Sequence, residues 1–305
     1  MKADYILKSR AVFTGIEDQP FPGGIAVRGN KIQAVLRGKE AETGLADHVI
    51  DVGEKLIMPA FVDAHVHYFV GAISSSEYMT TDIATSTSEE ECAEMVRQYA
   101  ETHPDHKRIL GIGWFPATWN DAPLPTKKSL DRAVPDRPVY LIAADCHTFW
   151  MNSLALAESG ITPDMKPRSG KVGVDENGEL NGLLFEPDAF SPAMNKVQEF
   201  DTETMIRINR DFIQQATECG VTSISEMSAD PYDEAVYQKY NSIRQMEEQG
   251  LLQARLHVYT ELMGHTHFET AKKWNQEFHS DKFRVAGVKG FVDGVTRRPD
   301  RKSVV

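Results

Sequence analysis

The chain has 305 residues, 41% of them hydrophobic, which is enough for one large domain or two ordinary ones to bury a core. Lys and Arg number 33 against 45 Asp and Glu, a net charge of −12 that argues against nucleic acid or an anionic membrane as the main partner. Such a total can still hide a local field of either sign.

The opening MKADYILKSR has no apolar stretch followed by a small-residue cleavage site. The longest apolar run, VYLIAA (139–144), is too short to span a bilayer. Three scattered cysteines, Cys92, Cys146 and Cys219, include no CxxC pair and fit a reducing compartment. The expectation is a soluble cytoplasmic protein with no membrane and no nucleic-acid partner. A homo-oligomer stays open.

Residues 1–57 read as all β. DYILKSRAVFTG and GGIAVRGNKIQAVLRG are short Val-, Ile- and aromatic-rich runs broken by turn residues, with a hairpin turn at RGNK. VIDVGEKLIMP then leads into MPAFVDAHVH (58–67). In a strand His65 and His67 point to one face about 7 Å apart, as does Asp63. Two imidazoles so placed can share one divalent ion. Chance is a serious rival, since an HxH arises in roughly one chain of this composition in three. The chain holds its own control in His265-Thr266-His267, at a polar strand-to-helix junction that reads as a solvated loop.

From 70 to 200 the rhythm loosens. Ser88 to Glu91 offers a capping box ahead of Cys92, Met95, Val96 and Tyr99 at helical spacing. ILGIGW (109–114) and VYLIAA read as buried strands; NDAPLPTKKSLDRAVPDRP and ITPDMKPRSGKVGVDENGELNG read as loop. Beyond 200, helix and strand alternate: a helix over 203–219 closed by Gly220, strand 221–227, a helix closed by Gly250, strand 254–260, a helix, then strand 283–294. Repeated βα units predict a parallel sheet covered by helices.

The run VIDVGEKLIMPAFVDAHVH resembles the start of the amidohydrolase superfamily. GWFPATWNDAPLPTKKSLDRAVPDRPVYLIAADCHTFWMNSLALAESGI resembles amidohydrolase family 3, whose long enzymes are similar to N-substituted formamide deformylase. The resemblance implies an α/β fold: the first half of a metal-dependent hydrolase (β/α)8 TIM barrel over 58–296. It also implies an N-terminal β-sandwich segment over 1–57 and a large insertion at about 70–200. It implies one or two divalent ions, zinc by expectation, held by His65, His67 and Lys289. Lys289 lies in GVKGFVDG, and as the superfamily's carboxylated lysine it would need a neutral amine to react with CO2. The rival reading of Lys289 is a strand-end lysine paired with a carboxylate such as Asp293.

Trp114, His147, Trp150 and Glu186 fall in family-like motifs and are candidates for lining the pocket of a small-molecule substrate, or for packing the insertion. His257, within a strand, reads as a core or rim histidine. The implied reaction is hydrolysis of non-peptide carbon–nitrogen bonds in an amide or formamide; a ring deaminase or a non-catalytic binding protein are the alternatives. Two further histidines and a general-base aspartate are expected on strands beyond this sequence, so the chain as written is expected to be an inactive fragment. From Arg297 the likeness stops, and 297–305 is expected to be a non-native tail.

Overall fold

The computed structural model describes residues 2–43, 46–119, 123–167, 169–229, 234–262 and 267–290. The chain divides into two compact units, Met1–Phe61 and Val62–Val305.

The first unit is a sheet of β1 (Ala3–Val12), β2 (Phe21–Arg28), β3 (Lys31–Arg37), β4 (Ala46–Asp51) and β5 (Leu56–Ile57), with a one-turn helix α1 (Glu40–Thr43). The order is β3-β2-β1-β4, with β5 also pairing β1. Both hairpin pairings are antiparallel, whereas β4 and β5 run parallel to β1. Ala3, Ile6 and Ala26 form a small core with Ala34, Leu36 and Ala46. Tyr5, Val35 and Ile50 are exposed.

β6 (Phe61–Val66) leads into the second unit and ends in the two histidines. Next come α2 (Tyr68–Ser74), β7 (Met79–Thr80), α3 (Glu89–Thr102), β8 (Ile109–Trp114), α4 (Lys127–Ala133), β9 (Val139–Ala143) and β10 (Thr148–Met151). α5 (Ser153–Glu158), β11 (Lys171–Val174), β12 (Leu180–Phe185) and α6 (Pro187–Val197) complete the inserted segment. Its strands form one six-stranded sheet in the order β11-β12-β10-β9-β8-β7.

Both faces of this sheet are covered. Ile109, Val139 and Leu141 pack with Cys92 and Val96 of α3 and Leu130 of α4. Leu110, Tyr140 and Ile142 pack with Leu156 of α5, Phe190 and Ala193 of α6. Two-sided burial is why VYLIA is apolar without alternation. Asn152 fastens its edge: Oδ1 accepts from Val139 and Ala155, and Nδ2 donates to the carbonyls of Val134 and Arg137.

Three details differ from the sequence reading, the first being that α4 (Lys127–Ala133) lies within 120–138, read as loop. The stretch read as loop around 161–182 holds the β11–β12 hairpin, closed by Asp175, whose Oδ1 accepts from the amides of Asn177 and Glu179. At α3, Ser88 does accept from Glu91 N–H, at 3.1 Å. The Glu91 carboxylate, however, reaches Thr87 N–H rather than that of Ser88.

The last part runs α7 (Thr202–Glu218), β13 (Val221–Ala229), α8 (Glu234–Glu248), β14 (Arg255–Glu261), α9 (His267–Glu277) and β15 (Phe283–Lys289). The sheet order is β15-β14-β13-β6, so β6 neighbours β13 despite the insertion between them. β13, β14 and β15 are parallel. Ile224, Leu256, Val258, Phe283 and Val285 pack against Met205 and Ile213 of α7, Tyr240, Ile243 and Met246 of α8 and Trp274 of α9. Among the described residues these four strands form an open sheet, not a closed barrel. No helix among them is long and apolar enough to cross a membrane.

One glycine tests the inserted sheet. Gly182 has φ 103°, and an added Cβ would lie 2.7 Å from the Met151 carbonyl oxygen and 2.8 Å from the Lys127 nitrogen. Gly182→Ala is expected to lower stability by about 1–3 kcal/mol, read as a lower urea midpoint with unchanged slope.

Candidate functional site

β6 ends where α2 begins, and His67 is the residue at the corner, with φ −92° and ψ 74°. Its carbonyl accepts from Gly71, opening the helix. The His65 and His67 rings lie 5.7 Å apart edge to face. Asp63 turns its carboxylate back to the His65 amide, 3.3 Å away. Both histidines present solvent-exposed surface.

The corner is pinned from β13. The Glu226 carboxylate accepts a hydrogen bond from Tyr68 N–H, the first amide after His67, across 158 residues of sequence. Glu226 is 3% exposed and Tyr68 fully buried, and the Tyr68 hydroxyl contacts the Asn209 carbonyl at 3.4 Å. Burial and then the Glu226 charge push the Tyr68 phenol well above its ordinary value, so it stays neutral.

Lys289 arrives from β15. Register pairs Glu261 with Lys289 and Tyr259 with Gly287, across a shift between Val258 and Tyr259. Gly287 leaves room for the Tyr259 ring, since an added Cβ would come within 3.1 Å of it. Lys289 is half-buried and close enough to act on His67. His67 titrates below its ordinary value because packing strips water from part of the ring, with His65 and then Lys289 adding to the effect. A neutral imidazole keeps a lone pair for a cation.

The structure thus brings together His65, His67 and Lys289 at the ends of β6 and β15, and adds Glu226, which the sequence reading missed. A signal was present: in VTSISEM, Glu226 occupies the same strand phase as the core residue Ile224, where an apolar side chain belongs. Among the described residues no group of three or more His, Cys, Asp or Glu side chains could hold a metal ion. His265 and Asp293 lie outside the described residues, as does the side chain of His267.

The other four candidates lie on the inserted sheet. Trp114 and Trp150 are fully buried, their rings 5.6 Å apart, with Trp119 completing the cluster. Their indole N–H groups donate to the Leu141 and Thr126 carbonyls. Neither ring reaches solvent, and both belong to the core beneath α3 and α4. His147 and Glu186 do pair: Nδ1 and Oε2 are 2.8 Å apart, with side-chain exposures of 26% and 7%.

The sheet face opposite the helices carries a second polar group. His257 of β14 pairs in register with Ser225 on one side and Arg284 on the other, with Arg255 two residues before it. Burial, then Arg284 and Arg255, push His257 below its ordinary value.

The sequence pattern of the amidohydrolase family matches residues 48–300. The chain is 27% identical over 232 residues to N-substituted formamide deformylase from Arthrobacter pascens, covering 73% of this chain and 41% of that protein. It is 29% identical over 170 residues to the putative amidohydrolase YtcJ of Bacillus subtilis (strain 168), covering 55% of this chain and 30% of that one. Among solved structures, an uncharacterized metal-dependent hydrolase from Pyrococcus horikoshii OT3 shares the fold with a TM-score of 0.70 at 21% identity, over 95% of this chain and 55% of that one. The chain spans about half the length, or less, of the relatives it matches.

Two predictions follow from the geometry. Glu226→Ala leaves the Tyr68 amide buried without this acceptor and is expected to cost about 1–3 kcal/mol, whereas Glu226→Gln, which can still accept, costs less; denaturant titration separates them. For His257, the folded pKa lies below the ordinary ~6.5 of the unfolded chain. As pH falls through that value the unfolded state takes up the proton first, so this contribution to stability is lost on acidification and complete above it. Arg284→Ala should move the His257 titration upward in an NMR pH series; an unmoved titration contradicts the assignment.

Proposed function

The chain belongs to the amidohydrolase family, and on that premise we propose that it contributes part of a divalent-metal centre to a hydrolase of carbon–nitrogen bonds in small amides. The observation that carries this is the pair of imidazoles at the β6–α2 corner, with Lys289 near enough to depress His67. Zinc takes four ligands, or three and a water in catalytic sites. His65 and His67 fit two of those positions and Lys289, as a carbamate, a third. With no further ligand grouped beside them among the described residues, the set is partial.

Such an ion, when bound, supplies Lewis acidity towards a carbonyl oxygen and towards water. The chain's own residues do the positioning. Glu226 holds the backbone at Tyr68 and so fixes where the His67 ring leaves the strand. The depressed His67 pKa keeps that ring unprotonated near neutral pH. Lys289 enters from the far strand of the sheet, so a ligand shared by the three residues would join β6 to β15.

Likeness to an N-substituted formamide deformylase favours amides over the rings a deaminase would take. The test uses the whole chain and Co²⁺, whose visible absorption reports its ligands. Wild type is expected to bind about one equivalent, His65→Ala and His67→Ala to lose at least about tenfold in affinity, and N-methylformamide to alter the spectrum. Affinity unchanged in both variants contradicts the metal reading; a spectrum indifferent to the amide contradicts the substrate class.

A further inference from the structure

Away from the β6–α2 corner, a second imidazole is held with unusual care. His147 lies in the turn between β9 and β10, and Glu186 at the end of β12, where it precedes the first turn of α6. Two hydrogen bonds tie them: Glu186 N–H donates to the His147 carbonyl at 2.9 Å, and the His147 Nδ1 faces Glu186 Oε2 at 2.8 Å. The turn is braced again by His147 N–H donating to Asp145 Oδ1 at 2.9 Å.

Both segments adopt backbone conformations that L side chains rarely take. Among the described residues, Cys146 at φ 57° and Glu186 at φ 72° are the non-glycine residues with positive φ, and they flank this one contact. Such conformations persist only where the surroundings over-determine them, and they collect at binding and catalytic sites. A third segment packs against the backbone at the end of β12. Gly170, itself at φ 77°, approaches so closely that an added Cβ would lie 1.9 Å from the Phe185 carbonyl oxygen and 2.6 Å from the Glu186 Cβ.

The chemistry of the pair fixes the ring. An ionised carboxylate only accepts, so the nitrogen facing Glu186 carries a proton, and in the neutral ring the lone pair is then on Nε2. Glu186 is 5% exposed, while a quarter of the His147 side chain meets solvent. Nε2 has no hydrogen-bond partner among the described residues. The same turn donates Ala144 N–H to the Trp114 carbonyl, so Phe115, 42% exposed, emerges beside it.

We propose that His147, oriented by Glu186, is a binding residue for the N–H of a small secondary amide. Nε2 accepts that N–H, and Glu186 acts through His147 as a positioning residue by holding the Nδ1–H tautomer. The choice of an amide rests on the hydrolase reading above; the oriented acceptor does not.

The experiment is long-range ¹H–¹⁵N NMR of the metal-free full chain with ¹⁵N-labelled histidine, titrated with N-methylformamide, with exposed His48 as the internal reference. Expected are an Nδ1–H tautomer for His147, and an Nε2 resonance that moves saturably while His48 moves only in proportion to bulk amide. Glu186→Gln should weaken that binding about three- to tenfold, the span of one neutral hydrogen bond, and His147→Gln should abolish the saturable response elsewhere in the turn. An Nε2–H tautomer, or a His147 response no different from that of His48, overturns the proposal. If Glu186→Gln unfolds the chain, the wild-type tautomer and titration still decide. Because no metal is present, a failed Co²⁺ titration alongside a responding His147 strikes the metal reading alone, and the reverse result strikes this inference alone.

Discussion

One buried hydrogen bond governs where everything else in the second unit can sit. Glu226, at the middle of β13, receives the Tyr68 amide directly after His67. A carboxylate is costly to bury without donors, and an amide at the start of a helix is a donor with no partner in its own helix. Each solves the other's problem, and the result is a fixed register for the strand end that carries the histidines. A one-residue slip of β6 would send His65 and His67 to the opposite face.

That bond also explains how so large an insertion is tolerated. Closure entropy grows only logarithmically with loop length, so bringing β6 beside β13 costs little more across a folded subdomain than across a short crossover. The inserted sheet is nearly self-sufficient, with a covered core on each face. Such a packed surrounding can hold strained positions such as Cys146 and Glu186, with α2 and α7 contributing to one of its faces.

Much of this was legible in the chain itself. The βα alternation after residue 200 reads directly, because each helix carries one apolar stripe and ends at Gly220 or Gly250. VYLIA reads as a buried strand because it is a short apolar run without alternation. The β11–β12 hairpin was hidden because Gly173, Gly178 and Gly182 break its alternation, and Gly182 is there for close approach to Met151 and Lys127 rather than for a turn. At the candidate site the HxH spacing singled out the end of β6, and likeness to a family singled out Lys289. Glu226 stayed hidden because a lone carboxylate in a strand looks like a solvent-facing residue until its phase is compared with Ile224. Trp114 and Trp150 were open to two readings, pocket lining and packing of the insertion, and their burial supports the second.

In a chain of net charge −12, burial first, and then neighbouring cations, hold His67 and His257 below their ordinary values on a sheet that also carries Asp63 and Glu226. An imidazole held neutral keeps a lone pair for a cation. The most direct measurement of that account is anomalous scattering at the zinc edge from crystals of the full chain equilibrated with Zn²⁺ at pH 7.5. The account predicts a peak within about 2 Å of a ring nitrogen of both His65 and His67, on the side facing Lys289. A peak bonded to neither histidine, or none at full zinc occupancy elsewhere, would contradict it.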